Sequence, residues 1–191
     1  MQAVTFAVVF TGLAACSGAD EPAAPRASPA KEGSELIGKP APGWDLETWF
    51  NSAPLALEDL RGKVVLVRWF MSPDCPFCSA TAPSLNLLDE RYRERGLVVL
   101  GFYHHKNAEP LTPDAVKGYL EHYKFRFPVA IDPDWKTLER WWLDRKRDWT
   151  SVSFLLDKKG VIRFIHPGGA YAPGSPEYAE MERRIQGLLA E

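Results

Sequence analysis

Apolar positions along the chain fall into runs with two different periods. Residues 63–70 (KVVLVRWF) form a continuous β-branched and aromatic run broken by one arginine, and residues 97–103 (LVVLGFY) form a second. Both have the length and composition of strands buried on two faces. Between them Leu85, Leu88 and Tyr92 recur at helical spacing, and Gly96 closes the predicted helix. Thr112-Pro113-Asp114 supplies an N-cap, a proline for the first helical position and an acid for the first turn. Asp132-Pro133-Asp134 repeats that signal ahead of WKTLERWW. In this helix Trp135, Leu138 and Trp142 share a face that predicts core packing, whereas Trp141 points elsewhere, towards a groove. SVSFLLD, a turn at residues 158–160 and VIRFIH predict a hairpin, and a last helix is expected from about Ser175. Strand–helix alternation implies parallel pairing, and the hairpin adds antiparallel strands to the same sheet. The expected class is α/β, a central mixed β-sheet flanked by helices.

The first residues stand outside this pattern. MQAVTFAVVFTGLAAC is an apolar run too short to span a membrane and ends in small residues, as a signal peptide does. Leu13-Ala14-Ala15-Cys16 resembles the lipobox of bacterial lipoproteins, in which the cysteine receives the lipid; the run departs from that pattern in having no Lys or Arg ahead of it. The plainer alternative is an apolar tail with an incidental thiol. Residues 17–35 are rich in Ala, Pro, Ser and charge and read as a tether. The expected organisation is therefore a signal peptide over 1–16 with Cys16 as lipid attachment site, a tether over 17–35 and one domain over 36–191. An apolar fraction of 46% gives that domain enough material for a core, and a net charge of −2 gives no reason to expect nucleic acid as a partner. Contact with a membrane is expected through the lipid anchor alone.

Besides Cys16 the chain has two cysteines, Cys75 and Cys78, in MSPDCPFCSATAP. Such a pair can close a disulfide, hold a metal or sit in a core. It falls where the first main strand ends and its helix begins. A helix N-terminus presents unpaired N–H groups and the positive end of the macrodipole. A thiolate there is stabilised, and its pKa can fall from roughly 8.5 to about 3.5–7.5. Cys75, just outside the helix and the more exposed, suits the nucleophile; Cys78, one turn on and pointing inward, suits the resolving thiol. A single pair with no other thiol in the mature domain fits an oxidising compartment.

GKPAPGWDL, LRGKVVLVRWF, CPFC with Pro83 five residues later, LVVLGFY and FLLDKKGVIRFIHPGG together resemble the thioredoxin-like fold. More narrowly, they resemble the exported, membrane-tethered thiol–disulfide oxidoreductases of the TlpA/ResA type. The resemblance implies exchange with protein thiols and disulfides, an upstream electron donor, no cofactor, and a place on the periplasmic face of a bacterial envelope. The chain departs from the family at several positions. Asp74 stands where a Trp precedes the first cysteine, and a carboxylate there opposes thiolate formation, which favours a reductase. Thr81 replaces an acid three residues after the second cysteine, and Trp69 replaces a polar residue six before the first. Ser151, in Thr150-Ser151-Val152, stands where the family has a cis-proline; a non-proline cis bond costs about 2.5–4 kcal/mol, so a trans peptide is expected. Thr150 and Ser151 remain the expected substrate loop.

Three rival uses of the pair stay open. Peroxiredoxins share the fold and carry a hydroxyl three residues before their cysteine, where Ser72 stands, but Arg68 replaces their proline, and Arg147 is only near their arginine position. Sco-type copper chaperones would use Cys75 and Cys78 with His104, His105 or His166, since thiolate and imidazole suit Cu(I); their cysteines are three residues apart, not two. The plainer reading makes one of His104 and His105 a solvated loop residue and the other the partner of a carbonyl, with His166 ordering the turn before the last helix. A purely structural disulfide across so short a loop would add little stability. Finally, Arg140, Arg145, Lys146 and Arg147 lead into Trp149-Thr150-Ser151 and could steer acidic partners or raise thiolate character at Cys75, against the plainer reading of a solvated face.

Overall fold

The computed structural model describes Met1, residues 32–143, Arg147 and residues 149–191. The apolar run at 63–70 becomes β2 (Val64–Phe70), buried at every position, and it organises the rest. Around it lie β1 (Trp49–Phe50), α1 (Pro76–Tyr92), β3 (Leu97–His104), α2 (Pro113–Tyr123), β4 (Val129–Asp132), α3 (Lys136–Trp141), β5 (Ser153–Leu156), β6 (Ile162–His166) and α4 (Pro176–Ala190). One six-stranded sheet runs β1-β4-β3-β2-β5-β6. β2, β3 and β4 pair in parallel, whereas β1, β5 and β6 join antiparallel. This is the mixed sheet that the alternation of strands and helices followed by a hairpin implied.

Side-chain alternation along β2 divides the core in two. Val64, Leu66 and Phe70 face α1, α2 and α4, while Val65, Val67 and Trp69 face α3 and the segment before β2. Gly101 in β3 is part of this packing: a Cβ there would lie 3.0 Å from Phe70 and 3.0 Å from Val129. The helix starts follow from their caps. Thr112 Oγ1 accepts from Ala115 N at 3.2 Å, and Ser175 Oγ accepts from Tyr178 N at 3.1 Å. Gly96, at φ 102°, ends the short 3₁₀ turn after α1, a conformation that favours glycine.

α3 differs from expectation. Asp132 does not open a helix immediately; it ends β4, and its carboxylate accepts from Thr137 N (3.1 Å) and Leu138 N (2.8 Å). The helix begins only at Lys136, after Trp135 at φ 61°, and ends at Trp141. Of the predicted face, Leu138 and Trp142 are buried as expected, and the departures are Trp141 and Trp135. Trp141 does not line a groove: it is buried against Trp44, Trp69 and Phe154. Trp142 enters the same core, and Trp135 is only half-buried, over His104.

The folded unit takes in residues just before position 36. The Gly33 backbone lies against Trp142, and Glu35 pairs with Arg147. The expected signal peptide beyond Met1, Cys16 and residues 17–31 of the expected tether lie outside the described residues. No helix among the described residues is long and apolar enough to cross a membrane.

Candidate active site

Where β2 ends, the chain turns through residues 71–74 into α1, and two side chains hold that turn. Tyr123 OH donates to Met71 O (3.2 Å) and Ser72 O (2.9 Å), and Ser79 Oγ donates to Pro73 O (2.8 Å). Cys75 N donates to Ser72 O at 3.0 Å, which places Cys75 as the N-cap of the 17-residue α1 with Pro76 in its first turn. Cys75 and Cys78 are joined as a disulfide with their Cα atoms 5.3 Å apart. Cys78 N, which also donates to Cys75 O at 3.1 Å, donates to Cys75 Sγ at 3.3 Å, so a first-turn helix donor already reaches the sulfur expected to carry charge. Cys75 is more exposed than Cys78, as expected, but only slightly: 8% against 3%.

The antiparallel pairing of β5 with β2 brings the third component. Arg68 is opposite Ser153, and Trp69 N donates to Val152 O at 3.1 Å, so Ser151 lies level with the end of β2. Its hydroxyl is 3.7 Å from Cys75 Sγ and 3.6 Å from Cys78 Sγ. No described peptide bond is cis, so Thr150–Ser151 is trans. Thr150 is buried beside it. Phe77 and Trp149, both about 40% exposed, pack edge to face at 6.0 Å and form an apolar rim next to Cys75. Gly168 makes room for that rim, since a Cβ there would fall 2.9 Å from Trp149.

Behind the disulfide is a buried polar network that the sequence reading missed. Arg68 is fully buried and donates to Ser153 Oγ (3.3 Å) and Gly169 O (3.0 Å), with its guanidinium 5.5 Å from the centre of the Tyr171 ring. No carboxylate among the described residues forms an ion pair with it, and burial lowers its pKa. Tyr171 OH meets Ser153 Oγ at 2.9 Å, Tyr171 N donates to Thr81 Oγ1 at 3.4 Å, and Ser84 Oγ donates to Tyr171 O at 2.6 Å. Thr81, in the family's acid position, is therefore a buried structural partner. The lone arginine in an otherwise apolar strand was the available signal.

The other expected residues are dispersed. Trp69 faces the opposite core and donates from Nε1 to Asp132 at 3.3 Å. Ser72 Oγ lies 3.3 Å from Asp74 and 3.1 Å from Asn107 as their donor, so the hydroxyl of the peroxidase reading is engaged away from the sulfurs. Asp74 is exposed. One of the two histidines meets a carbonyl, as expected, but the other is buried and not a solvated loop residue. His104 is fully buried, and His105 sits between Tyr103 OH (2.9 Å) and Glu109 O (2.6 Å). The copper reading requires Cys75 and Cys78 to converge with His104, His105 or His166, but no group of three or more His, Cys, Asp or Glu among the described residues is placed to hold a metal ion. His166 packs on Tyr171 at the turn towards α4. The basic run does not form one solvated face: Arg147 is buried, pairs with Glu35 and donates to Trp142 O, Arg140 donates to Gly43 O, and Arg145 and Lys146 lie outside the described residues.

A parallel βαβ core with an appended hairpin and a disulfide at the N-terminus of the first main helix defines the thioredoxin-like class. Solved structures agree. A thioredoxin-like superfamily protein superposes with a TM-score of 0.65 at 30% identity, covering 80% of this chain and 97% of that one. A thiol–disulfide isomerase from Corynebacterium glutamicum gives 0.62 at 27% identity, covering 79% and 97%. The AhpC/TSA family model matches residues 37–165, and the chain belongs to that family, on its TlpA/ResA-type side. The thiol–disulfide oxidoreductase ResA of Bacillus cereus is 32% identical over 126 residues, and the match spans 66% of the length of each protein. The protein DipZ of Mycobacterium bovis is 30% identical over 123 residues, which is 63% of this chain and 17% of DipZ.

Proposed function

We propose that the protein is an exported thiol–disulfide oxidoreductase that reduces disulfides in partner proteins. Cys75 attacks and Cys78 resolves. A lipid on Cys16 tethers the domain to the membrane on the periplasmic face of a bacterial envelope, and an upstream donor returns the pair to the dithiol. The observation that carries this reading is the Cys75–Cys78 disulfide at the helix N-terminus, with a backbone N–H already on Cys75 Sγ. The likeness to thiol–disulfide oxidoreductases supports the reaction class. Asp74 beside Cys75 supports the reductive direction, because a carboxylate next to the thiol disfavours the thiolate whose stabilisation makes strong oxidants.

A trapping experiment tests the assignment of roles. Cys78→Ser leaves Cys75 able to attack but nothing to resolve the mixed disulfide. Covalent, dithiothreitol-sensitive adducts with envelope proteins should accumulate through Cys75 and vanish in Cys75→Ser/Cys78→Ser. Equal adduct levels in the double variant would reject Cys75 as the nucleophile.

A further inference from the structure

We propose that Ser151 is a catalytic residue of the exchange reaction, its hydroxyl donating a hydrogen bond to whichever sulfur of the pair carries the negative charge. The inference rests on the exchange function proposed above. The Ser151 side chain is buried, and the two sulfurs, at 3.7 and 3.6 Å, are its hydroxyl's partners among the described residues. Disulfide sulfurs are weak acceptors, so in the oxidised protein this buried donor is poorly satisfied. A thiolate is a far better acceptor, and the bond becomes charge-assisted once the pair opens. The interaction thus strengthens as charge develops, the condition under which a donor assists a reaction instead of only holding a ground state.

The position between the sulfurs suits both steps. Cys75 thiolate first attacks a partner's disulfide: a Cys75–partner S–S bond forms, the partner's own bond breaks, and the electron pair leaves on the partner's second sulfur, which takes a proton from water. Cys78, as thiolate, then attacks Cys75 Sγ. The Cys75–Cys78 bond forms, the mixed disulfide breaks, and the partner's first sulfur leaves as a thiolate and is protonated. Two electrons pass from the dithiol to the partner, and Ser151 keeps its proton throughout. Cys75 has a backbone donor of its own in Cys78 N–H, whereas Ser151 is the donor that Cys78 has among the described residues. Thr81 and Trp69 put no carboxylate in either family position, so the Cys78 proton passes to water and the hydroxyl stabilises the thiolate left behind. Two residues on, Ser153 holds the buried Arg68 side chain.

The test is Ser151→Ala in the full chain, with site-resolved alkylation of Cys75 and Cys78 across pH and across thiol–disulfide buffers. Loss of the hydroxyl should lower the thiolate fraction at the more acidic cysteine about tenfold on the acid side of its titration. It should also shift the dithiol–disulfide equilibrium about tenfold towards the disulfide, a midpoint about 30 mV more negative. Ser151→Thr should keep the wild-type pH profile. Should the alanine variant fail to fold, Ser151→Val against Ser151→Thr isolates the hydroxyl at nearly constant shape. An exchange-active Ser151→Ala, or Ser151→Val, with the wild-type pH profile and midpoint overturns the role of Ser151 alone. A wild-type pair that does not exchange overturns the function beneath it as well.

Discussion

His104 and His166 show how the interior treats single ionisable side chains. Burial holds His104 down to about 3, assisted by the charges of Lys106 and Arg68, while the Phe70 backbone pulls weakly the other way. Burial holds His166 down to about 4, again with Arg68 contributing. In the unfolded chain both rings take up a proton near the ordinary value of 6.5, whereas the folded protein refuses it until well below that. Protons therefore favour the unfolded chain, so stability is complete above pH 6.5 and is lost as pH falls from there towards 4 and 3. His104→Phe, which keeps a flat ring against Trp135, should flatten this acid limb, read as urea midpoint against pH; an unchanged slope would place the loss elsewhere. The burial of His104 was not legible in the sequence, because it depends on Trp135 turning back over the strand end. Arg68 was visible as a charge in an apolar run, but its partners Ser153, Gly169 and Tyr171 are 85 to 103 positions away. Ser151 was recognised as a position, but its contact with both sulfurs depends on the β2–β5 register.

At the scale of elements, local signals served best where one residue decides the outcome. The caps at Thr112 and Ser175, the glycine after α1 and the turn at residues 158–160 of the hairpin all act within a few residues, and the structure contains each of them. α3 was misread because the signal at Asp132 is real but acts at a distance: the carboxylate caps N–H groups five and six residues on, after a turn through Trp135. Helical periodicity then had too short a helix on which to sort its tryptophans. Gly101 is the element-scale feature most open to test. A methyl group there meets Phe70 and Val129, both rigidly placed in neighbouring strands. Gly101→Ala should cost about 1–3 kcal/mol of stability through overpacking, read as a lower denaturant midpoint. A midpoint equal to wild type would show that the aromatic cluster yields at no cost.

For the whole molecule, composition predicts a short apolar leader, a polar tether and a globular domain, and the folded unit takes in Gly33 and Glu35, which the prediction placed in the tether. If Cys16 carries the lipid, Cys16→Ser should move the protein from the membrane fraction to the soluble fraction of the envelope without changing redox behaviour at Cys75 and Cys78. Continued sedimentation with membranes would require another anchor. The sheet, its two-sided core and the turn held by Tyr123 and Ser79 serve to fix one pair of sulfurs at a helix N-terminus with a hydroxyl between them. The most direct test is to equilibrate the full chain in graded glutathione and dithiothreitol buffers and read Cys75 and Cys78 by alkylation and mass. The account predicts one reversible two-electron transition, with a midpoint nearer about −270 mV than about −120 mV, as a reductase requires. A pair that stayed locked across the whole range would contradict it and make the disulfide a structural bridge.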